Sequence, residues 1–180
     1  MLSLITFRLH GTMPAATGRE LAASLRLARE TGTDHRRAQK QFFARFDAVL
    51  DRAPIGPGYF ESEKMAEILA GETMMLEEIG FRVHGFAILP NHAHLVLELP
   101  DDSRLSFAQA IDLLHLRTGT ACRRLVRPKL PHEAEFWQAG WHEYGVQEED
   151  ELTRLLAYVR GNARAAGLPA RFQEWPYVNE

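Results

Sequence analysis

The chain carries one cysteine, Cys122, in 180 residues. A single thiol excludes an intramolecular disulfide and any all-cysteine zinc site, and leaves Cys122 as a small buried hydrophobe on a helix. Long apolar runs are missing too. The opening stretch "MLSLITFRLHG" is interrupted by Arg8 and His10, well short of the roughly 18 residues of a membrane span. It also has no basic leading region and no small-residue cleavage site. The expectation is a cytoplasmic protein with no membrane contact. Positive charge is not in excess: 21 Lys and Arg against 24 Asp and Glu leave a net charge of −3. That balance argues against indiscriminate binding to nucleic acid. Internal repeats and low-complexity linkers are absent.

What is present is an ordinary globular composition, 46% hydrophobic and 25% charged. The length suits a single domain over residues 1–180 with a large core. Charge is unevenly distributed. Met1 to Phe46 holds eight basic residues (Arg8, Arg19, Arg26, Arg29, Arg36, Arg37, Lys40, Arg45) against three acids, and Arg104 to Lys129 holds six against Asp112 alone. The acids gather in "EEDE", Glu148 to Glu151, ahead of a helical pattern whose N-terminal dipole they would oppose.

Periodicity gives the element order. Ser3 to Leu9 alternates as a strand. "TGRE" offers a capping box, with Thr17 as N-cap and Glu20 at the third position, before a stripe of Leu21, Leu25 and Ala28. "GTD" around Gly32 breaks that helix. Asp34 to Ala53 forms a second one, with Phe42, Phe43, Phe46, Val49 and Leu50 on one face, and Glu61 to Ile79 a third, closed by Gly80. "FRVHGFAIL" and "HAHLVLEL" form a hairpin turning at Pro90-Asn91. Ser106 and Gln109 supply another capping box, for a helix to about Leu125. "EFWQAGWHEYGV" holds one or two short strands, and Asp150 to Ala166 a last helix striped by Leu152, Leu155, Leu156 and Val159. The predicted fold class is α+β: a ferredoxin-like antiparallel sheet, helices mainly on one face, and an added C-terminal helix.

Inside the hairpin, "NHAHLVLEL" places His92 and His94 two residues apart, hence on one face of a strand at a spacing of roughly 6.5 Å. Val96 shares that face; Ala93, Leu95, Leu97 and Leu99 take the other. Two same-face imidazoles either hold part of a metal site or are each satisfied by ordinary hydrogen bonds; in an apolar hairpin they require a partner of some kind. On the last helix Tyr158 and Asn162 stand one turn apart, so a phenol and an amide project together.

"PNHAHLVLEL" resembles the HUH motif (histidine, bulky apolar residue, histidine) of the single-tyrosine transposases, in particular the REP-associated tyrosine transposase group. "YVRGNARAAGL", Tyr158 to Leu168, resembles the stretch that carries that family's tyrosine. "ITFRL", "FFARFDAVLD", Gly56-Pro57, "FWQAGWHEYGVQEEDEL" and "EWPY" extend the resemblance along the chain. Ala163 and Arg164 follow Asn162 where the family commonly has proline and valine, so the helix should continue there.

The resemblance implies metal-dependent cleavage and rejoining of single-stranded DNA through a 5′-phosphotyrosine, as in DNA transposition or repeat-element processing. Tyr158 would be the nucleophile, with His92, His94 and Asn162 as ligands of Mg²⁺ or Mn²⁺. The implied partner is single-stranded or hairpin DNA, and the protein would be a monomer or homodimer. Arg117, Arg123 and Arg124 are the candidate DNA contacts. A domesticated, non-cleaving DNA-binding protein on the same scaffold is the alternative. A histidine-triad nucleotide hydrolase is disfavoured, since its third histidine would stand at Val96.

Overall fold

The computed structural model describes residues 1–30, 34–52, 55–103 and 105–179. The break expected at Gly32, the helix end expected at Ala53, and Arg104 lie outside the described residues. The chain runs β1 (Leu2–Arg8), α1 (Ala15–Glu30), α2 (His35–Arg52), α3 (Glu63–Met74), β2 (Arg82–Ile88), β3 (His92–Glu98), α4 (Phe107–Arg123), β4 (His142–Val146), α5 (Glu149–Ala165) and β5 (Val178–Asn179). The five strands form one antiparallel sheet ordered β4-β1-β3-β2-β5. Without the two-residue edge strand β5, that is the ferredoxin-like order expected for the α+β class.

Each strand face is buried against its own helices. Ile5, Phe7, Phe86, Ile88, Ala93, Leu95 and Leu97 pack under α3 and α4 through Leu69, Ala110, Ile111 and Leu114. These two crossover helices share one face, as expected. The other face is not left to water. Leu4, Ala87, Val96 and Tyr144 meet Val159, Leu155 and Leu156 of α5 and Phe43 of α2, and α1 packs outside α2 through Leu21 and Leu50. All of β3 from His92 to Leu97 is therefore buried.

Several helix boundaries move. Thr17 is inside α1 rather than at its cap, because the Pro14 carbonyl already accepts from the Gly18 N–H at 3.1 Å; proline suits the start of a helix, where its missing donor costs nothing. The Asp34 carboxylate caps α2, accepting from the backbone of Arg36 and Arg37 at 3.0 and 3.4 Å. The third helix is shorter than its pattern. After Met74 the backbone tightens into a 3₁₀ turn at Glu77–Ile79, and Gly80 ends it at φ 94°, a left-handed conformation that favours glycine. The Ser106–Gln109 capping box is formed on both sides. "EFWQAGWHEYGV" gives one strand, β4, and an isolated bridge between Leu9 and Trp137. Ala163 and Arg164 continue α5, which runs to Ala165. No helix among the described residues is long and apolar enough to cross a membrane.

Candidate metal and nucleophile site

β3 is the central strand, and its alternation sends His92 and His94 to the face covered by α2 and α5. The fold fixes the far ring nitrogen of each. Thr6 pairs with His94 across the β1–β3 ladder, and its Oγ1 lies 2.8 Å from His94 Nδ1. His92 Nδ1 donates to Asn91 Oδ1 at 2.6 Å, and Asn91 Nδ2 donates in turn to the Leu50 carbonyl of α2 at 3.1 Å. The Asn91 amide thus sets the His92 tautomer, with the lone pair on Nε2, and ties the hairpin turn to α2. Partners on the outer nitrogens of this kind orient metal-ligating imidazoles.

The inner nitrogens face a carboxylate that sequence reasoning did not assign. Asp47 Oδ1 of α2 lies 3.0 Å from His94 Nε2 and 3.8 Å from His92 Nε2. Asp51, one turn along α2, lies 4.0 Å from His92 Nε2. Ligand atoms of Asp47, His92 and His94 all fall within 4.8 Å of one another, the spacing of a shared ion. The two imidazole nitrogens and both Oδ1 atoms are buried, yet none completes a hydrogen bond. Four buried polar atoms converging without partners are costly unless something else satisfies them. A signal for Asp47 was available in the sequence. It falls at i+4 from Phe43 and i−3 from Leu50, a carboxylate on the apolar stripe of its helix.

Electrostatics agree with the geometry. Burial would raise the Asp47 carboxyl, but His94 and His92 and the Tyr158 hydrogen bond hold it down at about 2. Asp51 is pushed up to about 6 by burial and by Asp47. Burial drives His92 down to about 3, and neighbouring His94 adds to that. At neutral pH His92 is therefore an uncharged donor beside a charged carboxylate, the protonation state that a divalent cation requires.

α5 brings the phenol in. The Tyr158 hydroxyl donates to Asp47 Oδ2, and its ring meets His94 edge-on at 5.6 Å between centroids. Burial, followed by the Asp47 charge, raises the Tyr158 pKa far above its ordinary value. Asn162, one turn further along α5, is buried, and both its amide oxygen and nitrogen lack a hydrogen-bond partner. Two cavities of about 340 Å³ flank the group. One is bounded by Asp51 and His92, the other by Asp47 and Tyr158.

The three candidate arginines stand elsewhere. α4 covers the opposite face of the sheet, so they do not line the space around the histidines. Arg117 pairs with Glu72 of α3 at 3.3 Å. Arg123 donates to the carbonyls of Ala134, Pro131 (2.7 Å) and His132 (3.0 Å), tying down the loop after α4. Arg124 is exposed at the C-terminal end of α4. The acidic run that opens α5 does more than oppose a dipole. Glu151 is buried and accepts from the Tyr144 hydroxyl, from Arg36 and from the Gln147 N–H, with Lys40 at 3.5 Å. Cys122 is buried, its thiol pushed up to about 12.

No family model matches the chain. Over 108 residues it is 26% identical to a Haemophilus influenzae protein named "Putative REP-associated tyrosine transposase". The match takes in 56% of this chain and spans 60% of that relative's length. A solved structure of a REP-associated tyrosine transposase bound to a REP hairpin superposes with a TM-score of 0.53 at 13% identity, over 98% of this chain and 74% of that one. At that identity the likeness establishes the fold. In sequence the chain resembles a REP-associated tyrosine transposase, and in fold it matches a second protein of that description.

Proposed function

We propose that the chain is one transposase-like HUH domain that cleaves and rejoins single-stranded DNA at hairpin-forming ends, through a 5′-phosphotyrosine on Tyr158. The observation that carries this reading is the meeting of three elements at Asp47: the imidazoles of β3 on one oxygen, and the Tyr158 hydroxyl of α5 on the other. The DNA class is taken over from the hairpin-bound structural neighbour.

Asp47, His92 and His94 would hold the ion, with Asn162 as a further ligand. Their unpartnered buried atoms fit a divalent cation, and a mixed carboxylate, imidazole and amide set suits Mn²⁺ or Mg²⁺ with positions left for phosphate oxygens. The chemistry such an ion supplies when bound is polarisation and orientation of the scissile phosphate. The remaining steps belong to the chain. The Tyr158 oxygen attacks phosphorus while its proton passes to Asp47 Oδ2, its hydrogen-bond acceptor. The bond to the 3′ oxygen breaks, and that oxygen leaves as a free hydroxyl, taking through water the proton that Asp47 accepted, which returns Asp47 to its carboxylate. Attack by another 3′-hydroxyl on the phosphotyrosine reverses the sequence and rejoins strands. A non-cleaving relative on the same scaffold would have no use for a phenol held against the histidine site, so the Tyr158–Asp47 hydrogen bond favours cleavage.

The test is mass spectrometry of protein incubated with Mn²⁺ and a single-stranded hairpin oligonucleotide, then digested. A nucleotide on the Tyr158 peptide, absent in Tyr158→Phe, is expected. An adduct on Tyr59, Tyr144 or Tyr177, or undiminished cleavage by Tyr158→Phe, would refute the assignment.

A further inference from the structure

On the histidine face of the sheet, pairing across strands sets His142 of β4 beside Thr6 of β1, and Thr6 beside His94 of β3. Beyond Thr6 opens the largest of the cavities described here, about 640 Å³, between the end of β1, α1, α2 and the start of β4. Two properties of its wall stand out. The first is aromatic. Phe42 and Phe46 of α2 lie nearly parallel, 15° apart with centroids at 5.7 Å, and His142 packs against them at 4.5 and 5.7 Å; Trp141, partly buried, adds a fourth ring. The second is charge. Among the described residues the wall holds Arg8 and Arg19 and no carboxylate, in a chain whose acids outnumber its bases. Among the described residues the Arg8 guanidinium makes one long hydrogen bond, to Thr12 at 3.5 Å. Arg19 is exposed and forms no ion pair with a described residue. His10, also on the wall, pairs at its edge with Glu135 at 3.0 Å.

From these features we infer that the cleft binds an unpaired stretch of the DNA substrate, with bases stacked on the Trp141, Phe42 and Phe46 wall and phosphates on Arg8 and Arg19. Aromatic faces beside cationic side chains are the usual platform for single strands, because every base offers a π-face and every linkage a charge. Thr6 lines the cavity and pairs with His94, so a strand lying there passes within one side chain of the candidate site. The inference rests on the proposed DNA function and adds the path of the strand to it. It also relocates the basic contribution. The useful arginines are those of the N-terminal stretch, not Arg117 and Arg123 on α4.

The experiment uses the full chain carrying Tyr158→Phe, so that no cleavage intervenes, and a short fluorescein-labelled oligothymidylate read by anisotropy at low salt. Arg19→Glu, on an exposed residue that the fold does not need, should weaken binding about tenfold and flatten its salt dependence. Trp141→Ala should weaken it about tenfold through lost stacking. Trp141→Phe should keep most of the affinity but lose part of the tryptophan quenching seen when the strand binds. Binding of oligothymidylate by Arg19→Glu and Trp141→Ala at the parent's affinity would overturn the cleft and leave the DNA reading intact. A parent that binds no single strand would overturn both. Trp141-dependent binding in this chain, with no covalent adduct formed by the chain that retains Tyr158, would overturn cleavage alone. Tighter binding of oligouridylate than of oligothymidylate would overturn the assignment to DNA.

Discussion

Asp47→Asn separates a metal centre from a group of coincidentally close side chains. The substitution keeps the side chain's shape but removes the charge that lies 3.0 and 3.8 Å from the two imidazole nitrogens. A ligand that binds only the folded state, present at a hundred times its dissociation constant, stabilises by about 2.7 kcal/mol. For a chain of this length that raises Tm by about 5–10 °C. Losing a carboxylate at the ion should weaken affinity at least as much as losing an outer-shell partner, about ten- to hundredfold. At the same Mn²⁺ concentration the stabilisation then falls to between about 1.4 and about 0.4 kcal/mol. The assay is thermal unfolding across a Mn²⁺ titration, with EDTA as the zero point. A metal-induced rise in Tm that is equal in wild type and Asp47→Asn would remove Asp47 from the ligand set. A wild-type Tm that ignores Mn²⁺ and Mg²⁺ would remove the centre altogether.

Asn162→Ala should weaken Mn²⁺ binding about tenfold or more, as measured by calorimetry; equal affinity in Asn162→Ala and wild type would show that the amide is not a ligand. Glu151→Gln should cost about 2 kcal/mol in urea unfolding, because the buried carboxylate gathers Tyr144, Arg36, Lys40 and the Gln147 N–H; unchanged stability would reduce that cluster to packing. The pH dependence follows from three histidines and one carboxyl. His92 at about 3, and His115 and His142 at about 4, are held down chiefly by burial, so each is neutral when folded and takes a proton only on unfolding. The stability they contribute is complete above pH 6.5 and is lost as pH falls toward their folded values. Asp51, raised to about 6, works in the opposite sense below that pH. With three groups against one, the urea midpoint should drop between pH 6.5 and 4, and a midpoint that rises across this interval contradicts the burial of the imidazoles.

Local patterns carried much of this molecule. The His92–His94 face, the Pro90-Asn91 turn, the Ser106 capping box and the one-turn spacing of Tyr158 and Asn162 all rest on the fixed periods of strand and helix, so neighbouring residues suffice to read them. Asp47 needed more, because what gives it a role is the approach of α2 to β3, some 45 positions away in sequence. Its only local trace is an acid on an apolar stripe, which a reading of hydrophobic positions passes over. Glu151 was hidden for the same reason: a run of four acids looks uniformly solvated, and only the fold turns one of them inward onto Tyr144. The placement of α2 and α5 on the second sheet face was equally nonlocal. It explains why β3 reads as an apolar run apart from its histidines and the terminal Glu98.

The histidines and the carboxylate belong to parts of the fold held with unequal strength. β3 is hydrogen-bonded on both sides and covered on both faces, so its amides should exchange with deuterium only when the whole domain opens. α2 meets the sheet less closely, held to β3 by the Asn91 bond to Leu50 and by Asp47 beside His94 and His92. Its amides should exchange through smaller, more frequent openings. The candidate centre is thus built across a seam between two cooperative units, with its imidazoles in the rigid one and Asp47 in the looser one. An ion binding there would act as a rivet. Protection of α2 from exchange should rise on adding Mn²⁺, while that of β3, already limited by global unfolding, should rise only as far as overall stability does.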